Sequence, residues 1–224
     1  MKILEVKNLE IKLRESNKEI IKNISFSMEE NTCLGILGES GSGKSVTCKS
    51  ILNILNKNFD VKGKIIFNGK NLLECKEEEM RKIRGKKICM ILQNPMTSFD
   101  PLYTIENQMI ETFLEHKNFS QQEAVNLAKE SLEKMRLKDI DNILKKYPHE
   151  LSGGMLQRIM IAIAIALKPK LIIADEPTTA IDSLNQKDII EEFKILKNEI
   201  NVSILFVTHD LGILSYLADN LIVM

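Results

Sequence analysis

The chain has 224 residues, 44% apolar and 28% charged, with only 5 Pro, 10 Gly and 4 Cys, which excludes disordered, collagen-like and disulfide-scaffold classes and suits one domain with room for a subdomain. Lys plus Arg number 31 and Asp plus Glu also 31, so the formal net charge is +0. No global field then draws the chain to nucleic acid or an anionic membrane, and any phosphate chemistry must be local.

The start, Met1-Lys2-Ile3-Leu4-Glu5-Val6, lacks the sustained apolar run and small-residue cleavage site of a secretory leader, so export is not expected. Alternating residues at 3–6, 9–13 and 20–28, with a polar break at 14–19, predict strands. Residues 33–37 form a short continuous apolar run, the form of a strand buried on both faces. A helix pattern follows from Lys44 to about Leu55, then short strands at 63–69 and 88–92. Between about 104 and 147 the period becomes helical, with Ala124, Leu127, Ala128, Leu132 and Met135 at three- and four-residue spacing, which predicts a helical subdomain.

The longest apolar run, residues 159–167, ends at Lys168-Pro169 and falls far short of the roughly 20 residues that cross a bilayer, so it predicts a core helix. Strand patterns at 171–174, 202–207 and 220–224 alternate with helix patterns, as in a parallel α/β sheet. Cys33, Cys48, Cys75 and Cys89 form no C-x-x-C pair and read as reduced thiols.

Three segments carry chemistry. Gly38-Glu39-Ser40-Gly41-Ser42-Gly43-Lys44-Ser45 fits G-x-x-x-x-G-K-[ST] between a buried strand and a helix. Glycines there let backbone N–H groups converge on phosphate oxygens at a helix N-terminus, Lys44 neutralises β/γ-phosphate charge, and the Ser45 hydroxyl suits Mg²⁺. The strand ending in Asp175-Glu176 delivers two carboxylates to its tip and is stopped by Pro177. Paired with the phosphate loop it becomes a Walker B candidate, with Asp175 in the Mg²⁺ shell and Glu176 placed to polarise water. Leu151-Ser152-Gly153-Gly154-Met155-Leu156-Gln157-Arg158 opens a helix with Ser152 as N-cap, a second anion-binding start in the same chain. One nucleotide cannot easily use both, so the second is expected to cap the γ-phosphate of ATP held by another subunit.

On these residues the chain resembles the nucleotide-binding subunit of ATP-binding-cassette transporters, whose signature is LSGGQ. The resemblance covers nearly the whole chain. It implies an α/β fold: a P-loop NTPase core of the ABC type with a mainly parallel sheet, an antiparallel β subdomain and a helical subdomain. Residues 1–224 would be a single nucleotide-binding domain, with 1–92 and 168–224 as ATPase core and about 93–167 as Q-loop, helical subdomain and signature helix. ATP and Mg²⁺ are the implied ligands. Gly38, Glu39, Ser40, Gly41, Ser42, Gly43, Lys44, Ser45, Val46, Gln93, Asp175, Glu176 and His209 would bind the nucleotide in one chain, and Ser152, Gly153 and Gly154 would close the partner's site. Glu176, His209 and Gln93 would be catalytic, with Ser45, Gln93 and Asp175 holding Mg²⁺. Gln93 matches the Q-loop glutamine, Ala180-Ile181-Asp182 sits where the D-loop belongs, and His209 matches the switch histidine.

Implied partners are two transmembrane permease subunits, a second ABC ATPase subunit (identical or paralogous) and, indirectly, an extracellular solute-binding protein. No nucleic acid is expected, and the implied place is the cytoplasmic face of the membrane. Residues 94–102 and 174–182 look like the oligopeptide, dipeptide and nickel importer branch. LSGGMLQR, against the LSGGMRQR common in peptide importers, is similar to the nickel-import (NikD) type and its metallophore-importing relatives. Soluble ABC ATPases of translation or repair are the competing class, but one cassette without a long coiled-coil insertion fits them poorly. Two departures stand out. Leu13 occupies the place where the family usually has an adenine-stacking aromatic, and the sequence stops at Met224 inside a strand pattern, as a truncated chain or a short member would.

Overall fold

The structure is a computed structural model that describes residues 1–116, 118–178 and 183–224. The D-loop assignment at Ala180-Ile181-Asp182 lies outside the described residues.

Two sheets frame the molecule. β1 (Lys2–Leu13) and β2 (Glu19–Glu29) form an antiparallel hairpin, and β4 (Phe59–Phe67) and β5 (Lys70–Asn71) extend it in the order β2-β1-β4-β5. The separate apolar patterns at 3–6 and 9–13 belong to one strand. Leu4 and Val6 point inward on even numbers, Leu9 and Ile11 on odd ones, and a one-residue phase change needs a bulge. It falls where pairing jumps from Lys7↔Lys64 to Glu10↔Lys62, at Asn8 (φ 48°). Opposite, Gly63 has φ 107°, and a Cβ there would sit 2.4 Å from the Asn8 carbonyl oxygen, so only glycine fits.

The second sheet is wholly parallel in the order β6-β7-β8-β3-β9: β3 (Cys33–Leu37), β6 (Ile88–Ile91), β7 (Leu171–Asp175), β8 (Ser203–Thr208) and β9 (Asn220–Val223). Its central strands are buried on both sides. Ile204 and Phe206 of β8 face one apolar cluster, Leu205 and Val207 the other. The first cluster carries the helices α3 (Ile105–His116), α4 (Gln121–Lys134), α5 (Ile140–Lys145), α6 (Gly153–Ala166), α7 (Ser183–Ile200) and α8 (Leu211–Leu217). The second carries α1 (Lys44–Ile51), α2 (Glu77–Arg81) and the inner face of the antiparallel sheet. Among the described residues no helix is long and apolar enough to cross a membrane.

Three elements differ from the sequence expectation. α1 ends at Ile51, a turn earlier than about Leu55, because Asn53 turns left-handed (φ 51°) and Arg84 donates to the freed carbonyls of Leu52 (2.9 Å) and Asn53 (3.0 Å). β4 begins at Phe59 rather than 63, since Phe59, Asp60 and Val61 pair with Leu13, Lys12 and Ile11. The short α2 has no long periodic pattern; three glutamates in its first turn favour it at the positive end of its dipole.

One buried group is poorly matched to its place. Glu192 of α7 is 6% exposed and its Oε2 finds no hydrogen-bond partner. Burial pushes its carboxyl up to about 7, with Arg158 and Arg136 opposing and Asp188 reinforcing the rise. The folded chain therefore binds this proton more tightly than the unfolded one. The group's favourable contribution is complete below the ordinary value of 4.5 and is lost as pH rises through about 7. Glu192→Gln should raise stability at pH 8 by about 1–3 kcal/mol and do almost nothing at pH 5. Thermal melts at the two pH values check this, and an equal shift at both would contradict it.

Candidate nucleotide site

The parallel strands deliver their C-terminal ends to one rim, the position where open α/β sheets bind ligands. β3 leads there into the glycine-rich loop and α1. Gly43 caps α1 with φ 98°, and a Cβ on it would come within 2.3 Å of Ile21 Cδ1 of β2, so the loop's tight entry into the helix requires glycine. Lys44 is 4% exposed, and its Nζ donates to the carbonyls of Gly38 and Glu39, both at 2.8 Å. The loop thus curls around its own lysine.

Beside Lys44, Ser45 Oγ donates to Asp175 Oδ1 at 2.9 Å. Asp175 is 3% exposed, and burial raises its carboxyl above the ordinary value while the Ser45 hydrogen bond pulls it down. A hydroxyl and a carboxylate held this way are hard oxygen donors of the kind Mg²⁺ takes while keeping water and phosphate oxygens, so the pair fits that ion. Cys48, one turn on in α1, is fully buried and its thiol is pushed well up, which makes it inert core rather than a ligand.

Glu176 follows at the tip of β7 and is the meeting point of the site. Its Oε1 lies 3.5 Å from Lys44 Nζ, while its Oε2 accepts from Gln93 Nε2 at 3.2 Å and lies 3.6 Å from His209 Nδ1. Its backbone is left-handed (φ 46°), rare for a glutamate, and its N–H donates to the Val207 carbonyl of β8 at 2.9 Å. Gln93 leaves the end of β6. His209 leaves the end of β8, in a turn closed by Asp210, whose carboxylate accepts from the N–H groups of Gly212 (2.7 Å) and Ile213 (3.3 Å) at the start of α8.

The structure therefore brings Lys44, Ser45, Gln93, Asp175, Glu176 and His209 together. Gln93 makes its described contact with Glu176 and not with Ser45 or Asp175. A cleft of about 690 Å³ opens beside the loop, lined by Gly38, Glu39, Ser40, Gly41, Ser42 and His209, and also by Leu211, Val223 and Met224. The last three carry no motif. Met224 closes on the loop because its N–H donates to Leu37 at 2.8 Å, and its own carbonyl lies 2.7 Å from where a Cβ on Gly38 would be. Its place at the C-terminal end of a strand beside β3 was the signal that could have marked it. Val46, within α1, does not line this cleft.

Ser152 caps α6, accepting from the Met155 N–H at 3.2 Å, and Gly153 and Gly154 open that helix. Among the described residues no hydrogen bond or cleft joins this turn to the phosphate loop of the same chain. A site in two separated halves suits a nucleotide held between two chains.

Comparison with known proteins agrees with this geometry. The family described as ABC transporter matches over residues 21–179. The metal-staphylopine import system ATP-binding protein CntD of Staphylococcus aureus is 44% identical over 224 residues, covering all of this chain and 83% of that protein. The dipeptide transport ATP-binding protein DppD of Lactococcus lactis subsp. cremoris is 45% identical over 227 residues, covering all of this chain and 65% of that one. Among solved structures, the dimeric post-hydrolysis state of the ATP-binding cassette MJ0796, bound to ADP and Pi, superposes with a TM-score of 0.87 at 27% identity, covering 99% of this chain and 94% of its own. The phosphate loop, the carboxylate pair and the LSGG turn thus stand on the fold of their kind, and the chain belongs to the ABC transporter family as an ABC ATPase domain.

Proposed function

We propose that the chain is the ATP-hydrolysing subunit of an importer that takes up nickel or a metal chelate. It would sit on the cytoplasmic face of the membrane beneath two permease subunits, fed by an extracellular binding protein. The convergence of Lys44, Gln93 and His209 on Glu176 is the observation that carries the catalytic part. Lys44 exchanges the Gly38 and Glu39 carbonyls for β/γ-phosphate oxygens, while the loop amides of residues 38–46 cradle the phosphates. Glu176, held by Gln93, orients water and accepts its proton, and His209 reaches the γ-phosphate. Ser45, Gln93 and Asp175 would hold Mg²⁺, which when bound neutralises charge developing on the phosphate oxygens. Ser152, Gly153 and Gly154 of a second cassette, identical or paralogous, complete the site from the other side.

The cargo assignment rests on the LSGGMLQR signature and on likeness to a metal-staphylopine importer subunit. A dipeptide or oligopeptide importer is the second reading, favoured by the DppD relative. An ATPase subunit does not touch the cargo, so uptake decides. Cells carrying Glu176→Gln in place of the parent chain should accumulate less radiolabelled nickel, free or chelated, and take up labelled dipeptide normally. Loss of dipeptide uptake alone would replace the first reading by the second, and retention of the chain on ribosomes or DNA instead of in the membrane fraction would overturn both.

A further inference from the structure

Gln157 of α6 is fully buried, and neither its side-chain oxygen nor its side-chain nitrogen finds a hydrogen-bond partner. An amide in that position has given up its hydration with nothing in return, and any arrangement that supplies a partner is favoured over this one. The residue lies within the first turns of the signature helix, three positions beyond Gly154.

The helix sets its direction. At about 100° per residue, Met160 lies about 60° to one side of Gln157 and Arg158 about 100° to the other. Arg158 pairs with Asp188 of α7 at 2.9 Å. Met160 faces the end of β6, where its Sδ accepts from the Leu92 N–H at 3.4 Å. Gln157 is thus on the Met160 side, one turn closer to the start of α6, the helix on which the 3₁₀ turn Pro95–Thr97 packs. That turn opens with buried Pro95, which has no N–H to give. The Leu92 N–H has only sulfur, a weak acceptor, and among the described residues the N–H groups of Gln93 and Asn94 make no hydrogen bond. A spare acceptor on the signature helix therefore faces the segment that carries spare donors and Gln93.

In the two-cassette reading above, nucleotide engages both sides of this joint: Gln93 in the chain's own site and the LSGG turn in its partner's. We infer that Gln157 is a positioning residue which, once ATP draws the two cassettes together, accepts a backbone N–H of Gln93 or Asn94 and locks the Gln93 segment to the signature helix. The inference rests on that reading. It makes the hold of Gln93 on Glu176 firmest when the same chain's LSGG turn is seated on its partner, and so couples hydrolysis in one site to closure of the other.

The test compares the parent with Gln157→Met, which keeps the shape and drops the hydrogen-bonding groups. Removal of an unpartnered amide should raise the melting temperature of the full chain in nucleotide-free buffer by about 2–6 °C, where loss of a satisfied one would lower it. In membranes holding the chain with its permeases, the same change should lower kcat for ATP about tenfold (about 1.4 kcal/mol) and leave KM for ATP within about twofold, since the grip on the phosphates is untouched. Leu156→Met, an equally mild change in the same turn, should leave kcat at the parent value. An unchanged kcat, a lowered melting temperature, or an equal loss of kcat with Leu156→Met overturns the inference, the last two by showing that Gln157 only packs. Parent membranes that hydrolyse no ATP would overturn the transporter reading itself, and this inference with it.

Discussion

Glu176→Gln is expected to lower steady-state ATP hydrolysis by about 100- to 10,000-fold, the range attached to a general base. The amide keeps the size and the contact with Gln93 but cannot take a proton from water. ATP binding should survive and tighten, because the carboxylate that lies 3.5 Å from Lys44 competes with phosphate for the same ammonium. Phosphate release and nucleotide titration on one preparation check both halves. Undiminished turnover would remove Glu176 from the role of base and leave it as the counter-charge of Lys44.

Lys44→Ala is expected to weaken ATP binding about 100-fold, since charge-assisted hydrogen bonds are each worth about 1.5–3 kcal/mol and the buried ammonium makes several. The contacts of Lys44 within its own loop explain why the loss should be concentrated in binding. Lys44 satisfies the carbonyls of Gly38 and Glu39 and faces Glu176, so the loop is preorganised around a cation. ATP then exchanges partners instead of assembling a site. Calorimetric titration measures the effect, and an affinity within threefold of the parent would show that loop amides alone hold the phosphates.

The fold class and the central motifs were legible in the sequence because short-range physics specifies them. Apolar runs such as 33–37 and 171–174 have to be buried on both faces, and a glycine-rich turn between strand and helix has few other uses. The geometry of Glu176 was not legible. Its left-handed backbone was not visible, and Gln93, His209 and Lys44, which meet its carboxylate, come from the ends of β6 and β8 and the start of α1, which only the assembled sheet brings together. The bulge at Asn8 was visible as a phase change in the apolar pattern but reads equally as a break between two strands. The early end of α1 depends on Arg84, distant in sequence, and Met224 enters the loop's surroundings only because β9 pairs with β3. The tightly buried Leu156, where LSGGMLQR departs from LSGGMRQR, packs in the core of the helical layer, so its bearing on cargo is indirect.

The left-handed turn at Glu176 has a consequence for anyone seeking a hardier version of this protein. A non-glycine residue in that conformation stores about 1 kcal/mol or more of strain, which the pairing of its N–H with Val207 holds in place. Selection for heat resistance alone would favour glycine here, which takes a left-handed backbone at no steric cost. The same change would remove the carboxylate that meets Gln93 and His209. Durability and turnover thus compete at one position, and hardening is better sought at Glu192, where a misplaced charge serves neither.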